Sequence, residues 1–390
     1  MYIPRVLDQK VADSLKNKKV IFVLGPRQVG KTTLMEELLK KKDGVFFNLD
    51  IEVDRARLVA ASSLAPIEAI KQLGAEKKVL VIDEAHRYPK IGRIVKGWFD
   101  AKVQTKIFLL GSSSLNLLDK VAENLTGRNE KLFLTPFLFE EVLGIQSWYR
   151  EEISRLQLKK AFRSQVSSLV LSLIVYGSYP ETIVTNNKQN YLLNLTADYL
   201  LKDVLQSDLV KSPEPIERLL LLLAYQVGSE VSTNELAKSL GISRQTVDRY
   251  LDLLERTFVI FRLPALSTNP RKEVSKSKKI YFWDTGVRNA LLKEFNVSAL
   301  RSDIGALWEN WVVTEFAKRN LTFGLHQSLY FWRTRNGSEI DLVIKDVKGH
   351  LQAFEIKWSG KKKSIRDSFS NRYQVKPQLL NKDNFVDFLL

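Results

Sequence analysis

The sequence predicts an α/β protein of several domains, and three observations carry that prediction. Three short β-branched apolar runs, at 20–24, 79–82 and 106–110, each break off in glycine, carboxylate or serine residues, as buried parallel strands do at a ligand-facing sheet edge. Helix-period patterning then takes over from about 147 to 206, and the last third returns to strand-period alternation. At 390 residues the chain exceeds what one hydrophobic core usually supports. The boundaries read from these shifts are 1–146, 147–206, 207–284 and 285–390.

The first run, Val20-Ile21-Phe22-Val23-Leu24, is followed at once by GPRQVGKT, from Gly25 to Thr32, and then by Leu34, Met35, Leu38 and Leu39 at helical spacing. Strand, G-x-x-x-x-G-K-T loop and helix make a phosphate cradle, because the free amides of a helix N-terminus face an anion. The loop residues Gly25, Pro26, Arg27, Gln28, Val29, Gly30, Lys31, Thr32 and Thr33 are therefore the expected ATP contacts. Lys31 is expected at the β- and γ-phosphates, and the Thr32 hydroxyl on Mg2+. The second run enters Asp83-Glu84, a Walker B pattern in which Asp83 holds Mg2+ through water and Glu84 polarises the attacking water. The third run ends in Gly111-Ser112-Ser113-Ser114, which sets Ser112 beside the carboxylates if the strands are neighbours and lets a serine sense the γ-phosphate. Arg128, before the extended stretch EKLFLTPF, is read either as a finger reaching a neighbouring subunit's γ-phosphate in a homo-oligomer or as a surface ion pair.

Composition narrows the remaining classes. There are 60 Lys plus Arg against 44 Asp plus Glu, a formal charge of +16, which points to a polyanionic partner or to solubility. With no cysteine and three scattered histidines, disulfides and thiolate zinc sites are excluded and any metal must be held by oxygen. No apolar stretch approaches membrane-spanning length and no signal-like run opens the chain, so a soluble, cytoplasmic protein with no membrane partner is expected.

The segment 147–206 reads as a helical lid, interrupted at Gly177 and Pro180, with Pro180 opening a new helix. In STNELAKSLGISRQTVDRYLDLLE, Ser232 or Thr233 caps one helix, Gly241 makes the turn, and Ser243 caps a second helix bearing Val247, Tyr250 and Leu251. This is the spacing of a DNA-binding helix-turn-helix, with Arg244, Gln245, Thr246 and Arg249 facing outward. FVIFRL and KIYFWD would form its wing, joined by a connection holding Arg271, Lys272, Lys276, Lys278 and Lys279 against the single acid Glu273. Such folds also serve as packing modules, and that alternative stays open.

The last third holds Glu309 on a helix pattern, Asp341 on one strand, and Glu355 and Lys357 on the next. A three-residue turn at 347–349 pairs Asp346 with His350, which sets Asp341 opposite Glu355 and Glu339 opposite Lys357. Facing carboxylates repel unless a cation lies between them, so the Asp341 and Glu355 pair reads as an oxygen site for Mg2+, with Lys357 orienting or deprotonating a water. Alternating charge on a solvated hairpin gives much of the same pattern. Residues 361–390 add seven basic residues against three acids, which suits a phosphate backbone.

In their order, GPRQVGKTTL, VLVIDEAHRYP, FLLGSSS, LTGR, YGSYPE, LPALSTNPRK and IYFWDTGVRNALL make the chain resemble, over nearly its whole length, the AAA-type ATPases of bacteria and archaea that carry a C-terminal domain of uncharacterised function. The resemblance implies a sensor role for 112–114 and the finger position for Arg128. The Glu309, Asp341 and E-x-K set likewise resembles the PD-(D/E)xK nuclease core. The resulting expectation is an ATP-hydrolysing, DNA-docking machine with a nuclease-fold domain. Its rivals are a DNA-bound switch whose C-terminal domain has lost cleavage, and a signalling ATPase that uses both distal domains for protein contacts.

Overall fold

The computed structural model describes residues 2–111, 125–200, 212–267, 278–334, 337–360 and 368–390. They form two compact units, Met1–Thr135 and Pro136–Leu390. The helical segment, the helix pair and the C-terminal sheet lie in the second.

In the first unit, β1 (Val20–Leu24), β2 (Gly44–Asn48), β3 (Val79–Asp83), β4 (Lys106–Gly111) and β5 (Asn129–Phe133) form a parallel sheet in the order β2-β3-β4-β1-β5. Every residue of β1 and β3 is buried, which is why both read as unbroken apolar runs rather than alternating ones. Phe22, Leu80, Ile82, Leu109 and Trp98 belong to one core cluster, and each large side chain buried there contributes roughly 1.5–3 kcal/mol. β4 lies between β1 and β3, so the end of β4 falls between the glycine loop and the Asp83-Glu84 pair.

The second unit begins with helices that include Arg163–Tyr176 and Pro180–Val184, the latter opened by proline as expected. Two motifs prove to be one buried joint. Asp284 accepts the Ser178 amide at 2.7 Å and caps the helix Thr285–Leu292 through the Val287 amide at 3.2 Å. Any Cβ at Gly177 would lie 1.8 Å from the Asp284 carboxylate, so only glycine fits. Asn289 completes the joint by donating to the carbonyls of Ile174 and Val175.

The helix pair follows the expected local chemistry. Ser232 caps Thr233–Leu240 through the Glu235 amide, Gly241 turns the chain at φ 66°, and Ser243 caps Arg244–Arg256 through the Thr246 amide. Beside it, β6 (Glu230–Val231), β7 (Ile260–Leu263) and β8 (Lys278–Phe282) form a sheet in the order β6-β8-β7, all antiparallel. The C-terminal sheet runs β12-β11-β10-β9, from β9 (Ser328–Arg333), β10 (Glu339–Lys345), β11 (Leu351–Ile356) and β12 (Gln378–Leu380). Its hairpin has the expected register: Asp346 donates to His350, Gly349 has φ 89°, and Leu342 faces Phe354. The helix Ile304–Phe323 packs on this sheet through Phe316, stacked on Phe354 at 5.4 Å.

Candidate functional sites

The phosphate loop is shaped by glycines that no other residue can replace without strain. A Cβ at Gly25 would lie 1.9 Å from the Leu134 carbonyl oxygen, and Gly30 has φ 94° where the helix Lys31–Lys41 begins. Arg5 ties the loop down from outside the motif: it is buried and donates to the Val29 carbonyl at 3.0 Å and the Thr135 carbonyl at 2.7 Å. Nothing in MYIPR marks that role.

The two halves of the expected nucleotide site meet. Thr32 Oγ1 donates to Asp83 Oδ2 at 2.6 Å, and the buried Lys31 ammonium is held by the Gly25 and Pro26 carbonyls at 2.9 and 2.7 Å. Burial pushes the Asp83 carboxyl above its ordinary value and the charge of Glu84 adds to this, against the opposing Thr32 hydrogen bond. Thr32 and Asp83 are adjacent hard oxygen donors, so their chemistry fits Mg2+. Glu84 adopts φ 48°, a left-handed conformation that costs an L-residue about 1–3 kcal/mol and accompanies functional positions more often than others. His86 Nδ1 lies 3.2 Å from its carboxylate. Burial pulls Glu84 upward, yet His86, Lys31 and Arg27 outweigh it and hold the carboxyl below its usual range. Arg27, Gln28 and Thr33 stand at the loop and helix start, with Gln28 and Thr33 exposed. Arg128, at the entry to β5, is ion-paired with Asp100 of its own chain at 2.8 Å. Ser112 lies outside the described residues, as do Arg271 and Lys272.

On the helix Arg244–Arg256, Val247, Tyr250 and Leu251 are buried while Arg244, Gln245 and Arg249 are exposed and Thr246 is half-buried. The Asp248 carboxylate lies 3.6 Å from Arg244, a weak tether at a solvated surface.

The C-terminal carboxylates require two corrections. Lys279 was counted among the five basic residues of the wing connection, but it is 4% exposed and lies among the acids. Its ammonium sits 2.9 Å from Glu309, 2.6 Å from Glu339 and 4.0 Å from Asp341. Tyr281, two residues on and so on the same strand face, donates to Glu309 at 2.7 Å. Burial opposes charge on Lys279, but Glu309, Asp341 and Glu339 together raise its pKa well above the ordinary lysine value. Burial and the neighbouring Asp341 push Glu309 upward, with Lys279 and Tyr281 opposing.

The second correction concerns the metal set. Among the described residues, no group of three or more His, Asp or Glu side chains is arranged to hold a metal ion, so Glu309, Asp341 and Glu355 do not form the expected cage. Asp341 instead accepts the Ile356 amide at 2.7 Å and the Lys357 ammonium at 3.0 Å. Lys357 was expected opposite Glu339, which turns to Lys279. Burial lowers the Lys357 pKa, but the neighbouring Asp341 carboxylate raises it more. The contacts of Lys279 and Tyr281 with these acids are what sequence reasoning missed; the alternation of KKIYF gives the two a common face without saying what it meets.

Comparison with known proteins fits the first unit's geometry. Residues 17–143 match an AAA domain, 168–298 a domain of unknown function (DUF8612), and 304–384 a domain of unknown function (DUF4143). The chain is 29% identical over 350 residues to the uncharacterized protein Rv2008c of Mycobacterium tuberculosis, covering 88% of this chain and 71% of that one. It is 24% identical over 375 residues to the uncharacterized protein MJ1544 of Methanocaldococcus jannaschii, covering 93% and 80%. Among solved structures, the Walker-type ATPase PABY2304 of Pyrococcus abyssi aligns over 75% of this chain and 96% of its own, with a TM-score of 0.52 at 16% identity, a likeness of fold. The chain therefore carries a P-loop ATPase-like AAA domain and a DUF4143 C-terminal domain. No helix among the described residues is long and apolar enough to cross a membrane.

Proposed function

We propose that this chain, with its AAA domain and DUF4143 domain, is an ATP-hydrolysing, DNA-docking protein whose C-terminal domain is nuclease-like. The observation that carries the ATPase reading is the hydrogen bond between Thr32 and Asp83, which joins the phosphate loop to the carboxylate strand. With MgATP bound, the amides from Gln28 to Thr32 and the Lys31 ammonium would hold the phosphates, Thr32 and Asp83 would hold the metal, and Glu84 would orient the attacking water. Phosphoryl transfer asks the protein for positioning and charge neutralisation rather than covalent help, and these groups supply both. Loss of hydrolysis in Lys31→Ala tests it; equal turnover in that variant would end the ATPase reading.

The DNA reading rests on the exposed Arg244, Gln245 and Arg249 on the second of two capped helices flanked by a three-stranded sheet, the arrangement of a winged helix. Arg128 is proposed as a finger acting between subunits once its pair with Asp100 opens. Mixing inactive Arg128→Ala with inactive Lys31→Ala chains should restore turnover, and no recovery at any ratio would confine the arginine to its own chain.

For the C-terminal domain, Asp341 and Lys357 in contact at 3.0 Å, with Glu309 upstream, support the nuclease-like reading. Lys279, paired with Glu309 and Glu339, favours the second reading, a nucleotide-controlled DNA-binding or signalling switch with a catalytically inactive C-terminal domain. Cleavage of single-stranded, duplex and branched DNA with Mg2+ or Mn2+, with and without ATP, against Asp341→Ala, separates the two.

A further inference from the structure

The chain around Glu84 is built as a short, pinned turn. β3 ends at Asp83, whose Oδ1 accepts the Glu84 amide at 2.8 Å, and Glu84 then turns the backbone at φ 48° into the helical turn Ala85–Arg87. The Glu84 carbonyl accepts the Arg87 amide at 2.9 Å, which closes the turn. Ala85 is fully buried beneath it, and Arg87 Nε donates to Asp50, just past β2, at 2.6 Å. The turn brings His86 Nδ1 to 3.2 Å from Glu84 Oε2.

Both atoms are closed to solvent, and among the described residues neither has a hydrogen-bond partner beyond this approach. A buried polar atom without a partner is destabilising, so each is the other's natural partner. A carboxylate only accepts, so the ring nitrogen facing it is the one that carries the proton. The contact matters because a carboxylate that activates water must be held within hydrogen-bond reach of it. A misplacement of about 1 Å can cost about a hundredfold in rate.

We infer that His86 is a positioning residue for ATP hydrolysis: its Nδ1–H holds Glu84 Oε2 and thereby aims Oε1 at the attacking water. His86 acts through Glu84, on the chemical step rather than on nucleotide binding. The inference deepens the ATPase reading and rests on it, since a carboxylate that orients no water needs no positioning.

The test is ATP turnover and MgATP binding by the full chain carrying His86→Ala, His86→Asn or His86→Gln. An asparagine amide nitrogen can stand where Nδ1 stands, whereas a glutamine amide reaches the place of the far ring nitrogen. His86→Ala should lower kcat by about tenfold to a hundredfold, the worth of one hydrogen bond to a charged group, with MgATP affinity within about threefold of wild type. His86→Asn should recover turnover to within about threefold of wild type, and His86→Gln should stay as slow as His86→Ala. Added to Glu84→Gln, His86→Ala should cost nothing more, because the two residues act as one unit. Wild-type turnover in His86→Ala, beside a slow Glu84→Gln, would overturn the inference and leave the reading of Glu84 intact. Loss of MgATP affinity at unchanged kcat would overturn it by making His86 a nucleotide contact, and equal recovery by asparagine and glutamine would overturn it by making His86 a packing residue. Wild-type turnover in Glu84→Gln would overturn the reading of Glu84 itself, and the inference with it.

Discussion

Thr32 and Asp83, 51 residues apart in the chain, meet at 2.6 Å, and Glu84 follows with its backbone in the left-handed region. Because the hydroxyl and the carboxylate are the expected metal ligands, their removal should act on the metal-dependent part of nucleotide binding. Thr32→Ala and Asp83→Asn should each weaken MgATP binding by about tenfold or more, while ATP binding in EDTA changes little. Calorimetric titration with and without Mg2+ checks this. Equal losses under both conditions would show that the pair shapes the loop rather than the metal site.

The joint around Asp303 yields a prediction for pH. Asp303 accepts from Arg288 at 2.6 Å and from Arg301 at 2.8 Å, and both guanidiniums are buried. Its own burial raises the carboxyl pKa, but the hydrogen bonds from Arg301 and Arg288 outweigh this and depress it below 3.8. A depressed carboxylate contributes stability that is fully present above its unfolded pKa and is lost as pH falls through its folded pKa. Asp303→Asn should therefore cost about 1.5–3 kcal/mol at neutral pH, by removing the carboxylate that Arg288 and Arg301 share, and should flatten the loss of stability below about pH 4. Urea unfolding between pH 3 and 7 measures both; an unchanged acid limb would remove Asp303 from the account.

Exposed Arg244 and Arg249 predict a salt signature. If both meet phosphates, Arg244→Ala with Arg249→Ala should reduce the slope of log affinity against log salt for duplex DNA by about 2, and weaken binding similarly across sequences. If the slope and affinity remain at wild-type values in filter binding, the helix is a packing element.

Local chemistry made much of the fold and of the nucleotide site legible. Gly25 and Gly30 stand where a side chain would clash or strain, Ser232 and Ser243 cap their helices, Gly241 turns between them, and Gly349 sets a hairpin register that needs no distant partner. Lys279 was illegible for the opposite reason. Its neighbours in sequence are cations and its contacts are Glu309 and Glu339, so its burial follows from how the helix Ile304–Phe323 and β10 pack against β8. Arg5 is a similar case, clamped to Val29 and Thr135 by contacts that no motif announces. Asp284 shows a third kind: its motif was plain, but the partner that explains it, the Ser178 amide, lies 106 residues away.

The central claim is that Glu84 orients water for a nucleotide held by Lys31, Thr32 and Asp83. The most direct measurement is MgATP binding and steady-state hydrolysis by Glu84→Gln beside wild type. The account predicts binding within about threefold of wild type and turnover at least about a hundredfold slower, because the change removes an interaction realised in the transition state. Turnover at the wild-type rate, or a loss confined to binding, would contradict it.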